Sequence, residues 1–177
     1  MNGDDVIFLD HTTPIPIDNL YSTPETLGPD RLAASIGANA LCPYSDILVI
    51  DMGTAITYDY VNANGQYLGG NISPGIEMRF KALHDFTAKL PLVDKSGTLN
   101  AIGSNTEEAI RAGVILGMKH EVEGYIREFL SKNSHVSVFL TGGDSINFDD
   151  TLKKYTFAYK FLVQEGLAEV FHYNRPS

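Results

Sequence analysis

Tryptophan is absent from the 177-residue chain, and cysteine occurs once, at Cys42. A lone cysteine closes no internal disulfide, so the fold must be held by its core, and such sparse thiol usage points to a reducing compartment. No stretch approaches the roughly 20 consecutive apolar residues of a membrane-spanning helix. The opening Met1-Asn2-Gly3-Asp4-Asp5 has the wrong chemistry for a secretory leader, and the expectation is a cytoplasmic protein without a membrane partner. Positive charge is also scarce: thirteen Lys and Arg against twenty-two Asp and Glu leave a formal net charge of −9. The basic residues are scattered and form no stripe, which argues against nucleic acid as a partner. An anionic ligand would have to be held locally, by backbone N–H groups, a cation or one placed arginine. What is present is a globular composition, with 44% hydrophobic and 20% charged residues, nine Tyr and nine Phe. That much chain can bury a sizeable core in one domain or in two small lobes.

Periodicity and punctuation sketch the elements. Residues 6–9 (VIFL) read as a short strand, followed by a proline-rich loop from His11 to Pro29. From Asp30 to about Leu41 an acidic first turn and the apolar pattern Leu32, Ala33, Ile36, Ala38 and Ala40 predict a helix. DILVID (46–51), AITYDYV (55–61) and QYLGGNIS (66–73), with the turn signal Asn64-Gly65 before the last, predict three adjacent antiparallel strands. After the break at Ser73-Pro74-Gly75, the residues Ile76, Phe80, Leu83, Phe86 and Leu90 mark a helical face. Asn105 with Glu108 forms a capping pair that opens a longer helix striped by Ile110, Val114, Met118, Val122, Ile126 and Phe129. VSVFL (136–140) is another buried strand, and residues 165–173 a closing helix. A strand meander followed by helix-connected strands describes an α/β sheet of ribonuclease-H-like type, covered by helices. The natural boundary between lobes is the Cys42-Pro43-Tyr44-Ser45 turn.

Two strand ends carry chemistry-bearing turns. Asp51-Met52-Gly53-Thr54 projects a carboxylate, a glycine N–H and a hydroxyl from one turn, which suits phosphate or a cation. An isolated D-x-G-T is more simply a hairpin turn, with Asp capping backbone donors. Thr141-Gly142-Gly143-Asp144 follows the same logic after another buried strand, and two such turns together suggest a nucleotide cleft. Gly28-Pro29-Asp30-Arg31 sets an acid and a base side by side at a helix start, where Asp30 is a normal initiator and Arg31 could grip a carboxylate.

Around these residues the sequence becomes specific. Tyr21-Ser22-Thr23-Pro24-Glu25-Thr26-Leu27-Gly28-Pro29-Asp30-Arg31 resembles the Y-x-x-P-x-x-[VL]-G-x-D-R substrate segment of the type III pantothenate kinases, the Bvg accessory factor family. Ile50 to Thr57 resembles the second phosphate motif of that family, and Thr141 to Asp144 its adenosine motif. Leu68 to Ile76, Thr87 to Pro91 and Ile102 to Thr106 match further blocks in the same order. The resemblance implies the acetate and sugar kinase, Hsp70 and actin superfold, with residues 1–44 as the remainder of an N-terminal ribonuclease-H-like domain and 45–177 as the C-terminal one. It implies ATP-dependent phosphorylation of pantothenate to 4′-phosphopantothenate, the first step of coenzyme A biosynthesis, by a homodimer. By the same resemblance Asp30 is the base for the pantothenate hydroxyl. Tyr21, Gly28, Pro29, Asp30, Arg31 and Thr106 hold pantothenate, with Thr106 reaching it from across the dimer. Gly53, Thr54, Gly142, Gly143 and Asp144 bind ATP, Asp51 holds a monovalent cation (potassium or ammonium), and Mg²⁺ accompanies the nucleotide.

One departure concerns the first phosphate motif, D-x-G-N-[TS], which nothing here matches. The opening MNGDDVIFLDHTTP resembles the middle of the family's first domain, so the expectation is a chain without its front and with an incomplete N-terminal domain. Two other readings follow: a catalytically incomplete fragment that dimerises and binds pantothenate without turnover, and a kinase of the same superfold acting on a sugar or acetate. The second is disfavoured because the match covers the substrate segment and not only the nucleotide turns.

Overall fold

The computed structural model describes residues 6–133, 136–143 and 153–175. Six strands form one mixed sheet: β1 (Asp18–Asn19), β2 (Asp46–Met52), β3 (Ala55–Val61), β4 (Gln66–Pro74), β5 (Val136–Gly142) and β6 (Thr156–Ala158). Their order is β1-β4-β3-β2-β5-β6. The β2–β3–β4 meander is antiparallel, as its alternation and the Asn64-Gly65 turn lead one to expect, whereas β5 joins β2 and β6 joins β5 in parallel. Among the described residues, four helices cover the sheet: α1 (Pro29–Leu41), α2 (Ile76–Asp85), α3 (Thr106–Lys132) and α4 (Leu162–Tyr173).

The sheet is buried on both faces, and the period of two along β2 sorts the core. Leu48, Ile50 and Met52 point to α2 and α3, where they meet Ile76, Phe80, Ile110, Val114, Met118, Val122 and Ile126. Ile47 and Val49 point the other way and meet Leu32, Ala34 and Ile36 of α1 with Leu162 and Val170 of α4. Full burial of each such side chain favours the fold by about 1.5–3 kcal/mol. α1 and α4 approach at backbone distance, because a Cβ at Gly166 would overlap the Ala33 carbonyl and one at Gly37 would overlap that of Leu162.

Local signals explain the ends of α3. The Asn105 side chain accepts from Glu108 N–H at 3.0 Å, and the Glu108 carboxylate returns to Ser104 N–H at 3.0 Å, so the capping pair forms with its return arm one residue early. Three expectations need correction. Residues 6–9 are not a strand: Val6 and Phe8 are mostly exposed, and the chain instead folds into a turn in which Asp10 Oδ1 accepts from Thr12 and Thr13 N–H. α2 ends at Asp85, short of Leu90, because Phe86 faces solvent and the Thr87 hydroxyl donates to Leu83 O at 2.7 Å just ahead of the Leu90-Pro91 step. α4 begins at Leu162, three residues earlier than its periodicity suggested, and β6 before it was not anticipated. Among the described residues, no helix is long and apolar enough to cross a membrane.

Candidate active site

The parallel register of β2 and β5 places the two glycine-bearing turns side by side. Asp51 is paired with Thr141 and Met52 with Gly142. Gly142 adopts φ 95°, and a Cβ there would lie 2.6 Å from Asp51 Oδ1 as well as overlapping the Met52 carbonyl, so only glycine fits. Gly143 and Thr54 are exposed at this edge. The Asp51–Thr54 turn is closed by Gly53 N–H donating to Ala55 O at 3.1 Å, and it rests on Gly75, whose N–H donates to Thr54 O at 3.0 Å. Asp144 lies outside the described residues.

The Asp51 side chain points to the α1 face, as Ile47 and Val49 do. Its carboxyl is raised above the ordinary aspartate range, first by burial and then by the negative charges of Asp30 and Asp59. Asp30 sits in the first turn of α1, exposed, with its Oδ1 accepting from Arg31 N–H at 3.0 Å. Pro29 precedes it as the first helical residue, a position where its missing N–H costs nothing. Gly28 is held close by the same carboxylate, since a Cβ there would come within 2.6 Å of Asp30 Oδ1.

Arg31 is buried rather than presented to solvent. Its Nη2 donates to Asp59 Oδ1 at 2.6 Å and its Nε to the same oxygen at 3.0 Å, and Tyr67 Oη donates to that oxygen at 2.7 Å. Burial works against the guanidinium charge, and the Asp59 carboxylate outweighs it and keeps the group protonated. Gly70 completes the enclosure, because a Cβ there would lie 2.7 Å from Asp59 Oδ1 and 2.8 Å from Arg31 Nη2. The Tyr21 ring lies 6.0 Å from that of Tyr67 and over Gly69. On the α1 face Asp30 thus lies near enough to Asp51 for their charges to interact, Gly28 lies against Asp30, and Arg31 and Tyr21 gather around Asp59 and Tyr67.

Thr106 is elsewhere. It is the first residue of α3, exposed, on the helix that covers the opposite face of the sheet. Within one chain the structure does not bring it to Asp30. Sequence reasoning missed Asp59 and Tyr67. Asp59 looked like the polar half of an ordinary alternating strand, and only the arrival of α1 on that face turns it into a buried ion.

A Cβ at Gly142 would run into the Met52 carbonyl and the Asp51 carboxylate, so glycine keeps the two turns in contact at the strand ends. Asp30, Asp51 and Asp59 lie close enough for their charges to act on Asp51, and Arg31 is committed to Asp59, so a hard cation beside Asp51 would relieve an excess of negative charge. Among the described residues, no three His, Cys, Asp or Glu side chains converge to ligate a metal, so a bound cation would complete its shell with phosphate, backbone or water oxygens.

The fold is a mixed α/β sheet with two glycine-bearing turns at adjacent strand ends and the Asp51 carboxylate beside them, which fits an α/β kinase domain. The family model of the type III pantothenate kinases matches residues 2–128. The type III pantothenate kinase of Phocaeicola vulgatus is 54% identical over 169 residues, covering 96% of this chain and 70% of that protein. Those of Porphyromonas gingivalis and Flavobacterium johnsoniae are 49% and 41% identical and cover 92% and 95% of this chain, with 67% and 69% of the relatives covered. The crystal structure of a Baf family protein from Campylobacter jejuni is similar with a TM-score of 0.59 and 28% identity, over 89% of this chain and 68% of that one. The chain belongs to the type III pantothenate kinase family.

Proposed function

We propose that the protein transfers the terminal phosphoryl group of ATP to the primary hydroxyl of pantothenate, giving 4′-phosphopantothenate, the first step of coenzyme A biosynthesis. The observation that carries this reading is the cluster of Asp30, Asp51 and the Gly53 and Gly142 turns at one sheet edge, in a chain 54% identical to a type III pantothenate kinase. Phosphoryl transfer needs mainly alignment and neutralisation of charge, so no activated cysteine or histidine is required.

In this reading Asp30 accepts the proton of the attacking hydroxyl. It is suited to that role because it is exposed at the mouth of the site and fixed to the first turn of α1 by the Arg31 N–H. Tyr21, Gly28 and Pro29 form the wall against which pantothenate lies. Arg31 acts from beneath, holding the turn to Asp59, and presents its charge to the substrate carboxylate through the remaining guanidinium edge. Thr106 serves the site of a partner subunit in a homodimer, which its place on the opposite face of the sheet supports. Gly53, Thr54, Gly142, Gly143 and Asp144 receive ATP. Asp51 holds a potassium or ammonium ion, and Mg²⁺ with the phosphates supplies further charge neutralisation.

The finer fold reading is ribonuclease-H-like. The order β4-β3-β2-β5-β6, with an antiparallel meander and then parallel additions, supports it. In the accompanying domain division, residues 1–44 carry the pantothenate segment and 45–177 form the second domain. The test is direct: purified chain with ATP, Mg²⁺, potassium and pantothenate is expected to form 4′-phosphopantothenate above background. No product above background would overturn the reading.

A further inference from the structure

Glu121 lies midway along α3 and has no part in the chemistry above. Its Oε1 accepts from Tyr58 Oη at 2.9 Å and Ser73 Oγ at 2.5 Å, and its Oε2 accepts from Arg79 Nη2 at 2.6 Å. One carboxylate therefore ties together β3, β4, α2 and α3. Arg79 carries the connection onward, with Nε donating to Pro74 O at 2.7 Å. The next residue, Gly75, donates its N–H to Thr54 O at 3.0 Å, and a Cβ at Gly75 would overlap the carbonyl oxygens of both Gly53 and Thr54. The turn between β4 and α2 is wedged against the Asp51–Thr54 turn with no room to spare.

Stability alone does not call for this arrangement. Arg79 and Glu121 keep 19% and 26% of their side-chain surface exposed, so solvent screens part of their attraction. Burial pushes the Glu121 carboxyl up, and the donors from Ser73, Arg79 and Tyr58 outweigh it and leave the group below its ordinary range.

We propose that Glu121 is a positioning residue: through Ser73 and Arg79 it fixes the Ser73–Gly75 turn, and through Gly75 it sets the conformation in which Gly53 and Thr54 receive the phosphates of ATP. The inference rests on the reading of Gly53 and Thr54 as ATP-binding. It concerns one substrate only, because the pantothenate wall lies on the opposite face of the sheet from Glu121.

The experiment compares wild type with Glu121→Ala and Arg79→Lys. Glu121→Ala is expected to raise KM for ATP about tenfold while KM for pantothenate changes less than about twofold. Arg79→Lys keeps the charge but drops the Nε donation to Pro74, and it is expected to shift KM for ATP in the same direction by less. The Gly75 amide should exchange its hydrogen faster in both variants, with amides of β2 unchanged. Equal changes in both KM values, or a lower melting temperature with KM for ATP untouched, would overturn the proposal. If the wild-type chain forms no product, the kinase reading falls by itself. Exchange at Gly75 and calorimetric ATP affinity then decide the inference, which is overturned if neither differs between wild type and Glu121→Ala.

Discussion

Two carboxylate networks flank the same turn from opposite faces of the sheet, and they are built to opposite rules. On the α1 face, three carboxylates meet one arginine, which is committed to Asp59, so the region around Asp30 and Asp51 carries surplus negative charge. On the α3 face, the single carboxylate of Glu121 gathers donors from Tyr58, Ser73 and Arg79. A region with unmet negative charge is prepared for a cation, a proton or both. A region with every oxygen occupied is prepared to stay where it is. Chemistry is expected where the donors run out, and rigidity where they are in excess.

The comparison can be broken by mutation, starting with its largest expected effect. Asp30→Asn removes the proposed base, and kcat is expected to fall by about 10²–10⁴-fold with little change in melting temperature, measured by product formation and thermal unfolding. A loss of stability without loss of turnover would place Asp30 among the structural carboxylates instead. Asp59→Asn should do the reverse. It strands the Arg31 guanidinium in the interior at a cost of about 3–5 kcal/mol, read as a lower urea midpoint at unchanged slope. Replacing both, as Asp59→Asn with Arg31→Met, should recover much of that stability but not pantothenate binding.

Asp51 gives an effect of intermediate size with a defined sign. Its folded-state pKa lies above the unfolded value, so the folded state binds the proton more tightly. That contribution is complete below the unfolded carboxylate pKa and is lost as pH rises through the folded one. At neutral pH, Asp51→Asn is therefore expected to raise the melting temperature of cation-free protein, while potassium stabilises wild type and leaves the variant unmoved. The smallest effect belongs to the exposed Lys132–Glu128 pair, 2.6 Å apart with about two-thirds of each side chain in water. Lys132→Ala should change stability by less than about 1 kcal/mol by urea titration.

Much of this was legible before any coordinates. The β2–β3–β4 meander, the Asn105–Glu108 cap and the apolar stripe of α3 are local patterns, set by spacing and by residue chemistry a few positions apart. The turns at Asp51 and Gly142 were legible as turns, but their adjacency depends on the parallel register of β2 and β5, which pairs residues ninety positions apart. Asp59 was illegible because alternation in AITYDYV assigns it to a wet face, and nothing local says that α1 will cover that face. Glu121 was hidden for the converse reason: on a long helix a glutamate reads as solvated, and its three donors come from three other elements. The strand expected at residues 6–9 failed because apolar composition invites a strand without supplying a neighbour to pair with.

The close approach of Gly37 and Gly166 bears on when the site can form at all. One side of the helix that carries Asp30 is uncovered until α4 arrives from the far end of the described chain, since Ala33 and Gly37 have α4 as their backbone-to-backbone neighbour while Leu32 and Ile36 already rest on β2. During synthesis this contact is made only after residues 162–173 have left the ribosome. Loop closure of that length is slow compared with helix formation. Before that contact forms, α1 can rest on β2 but lacks its α4 neighbour, and the face that carries Asp30 is incomplete.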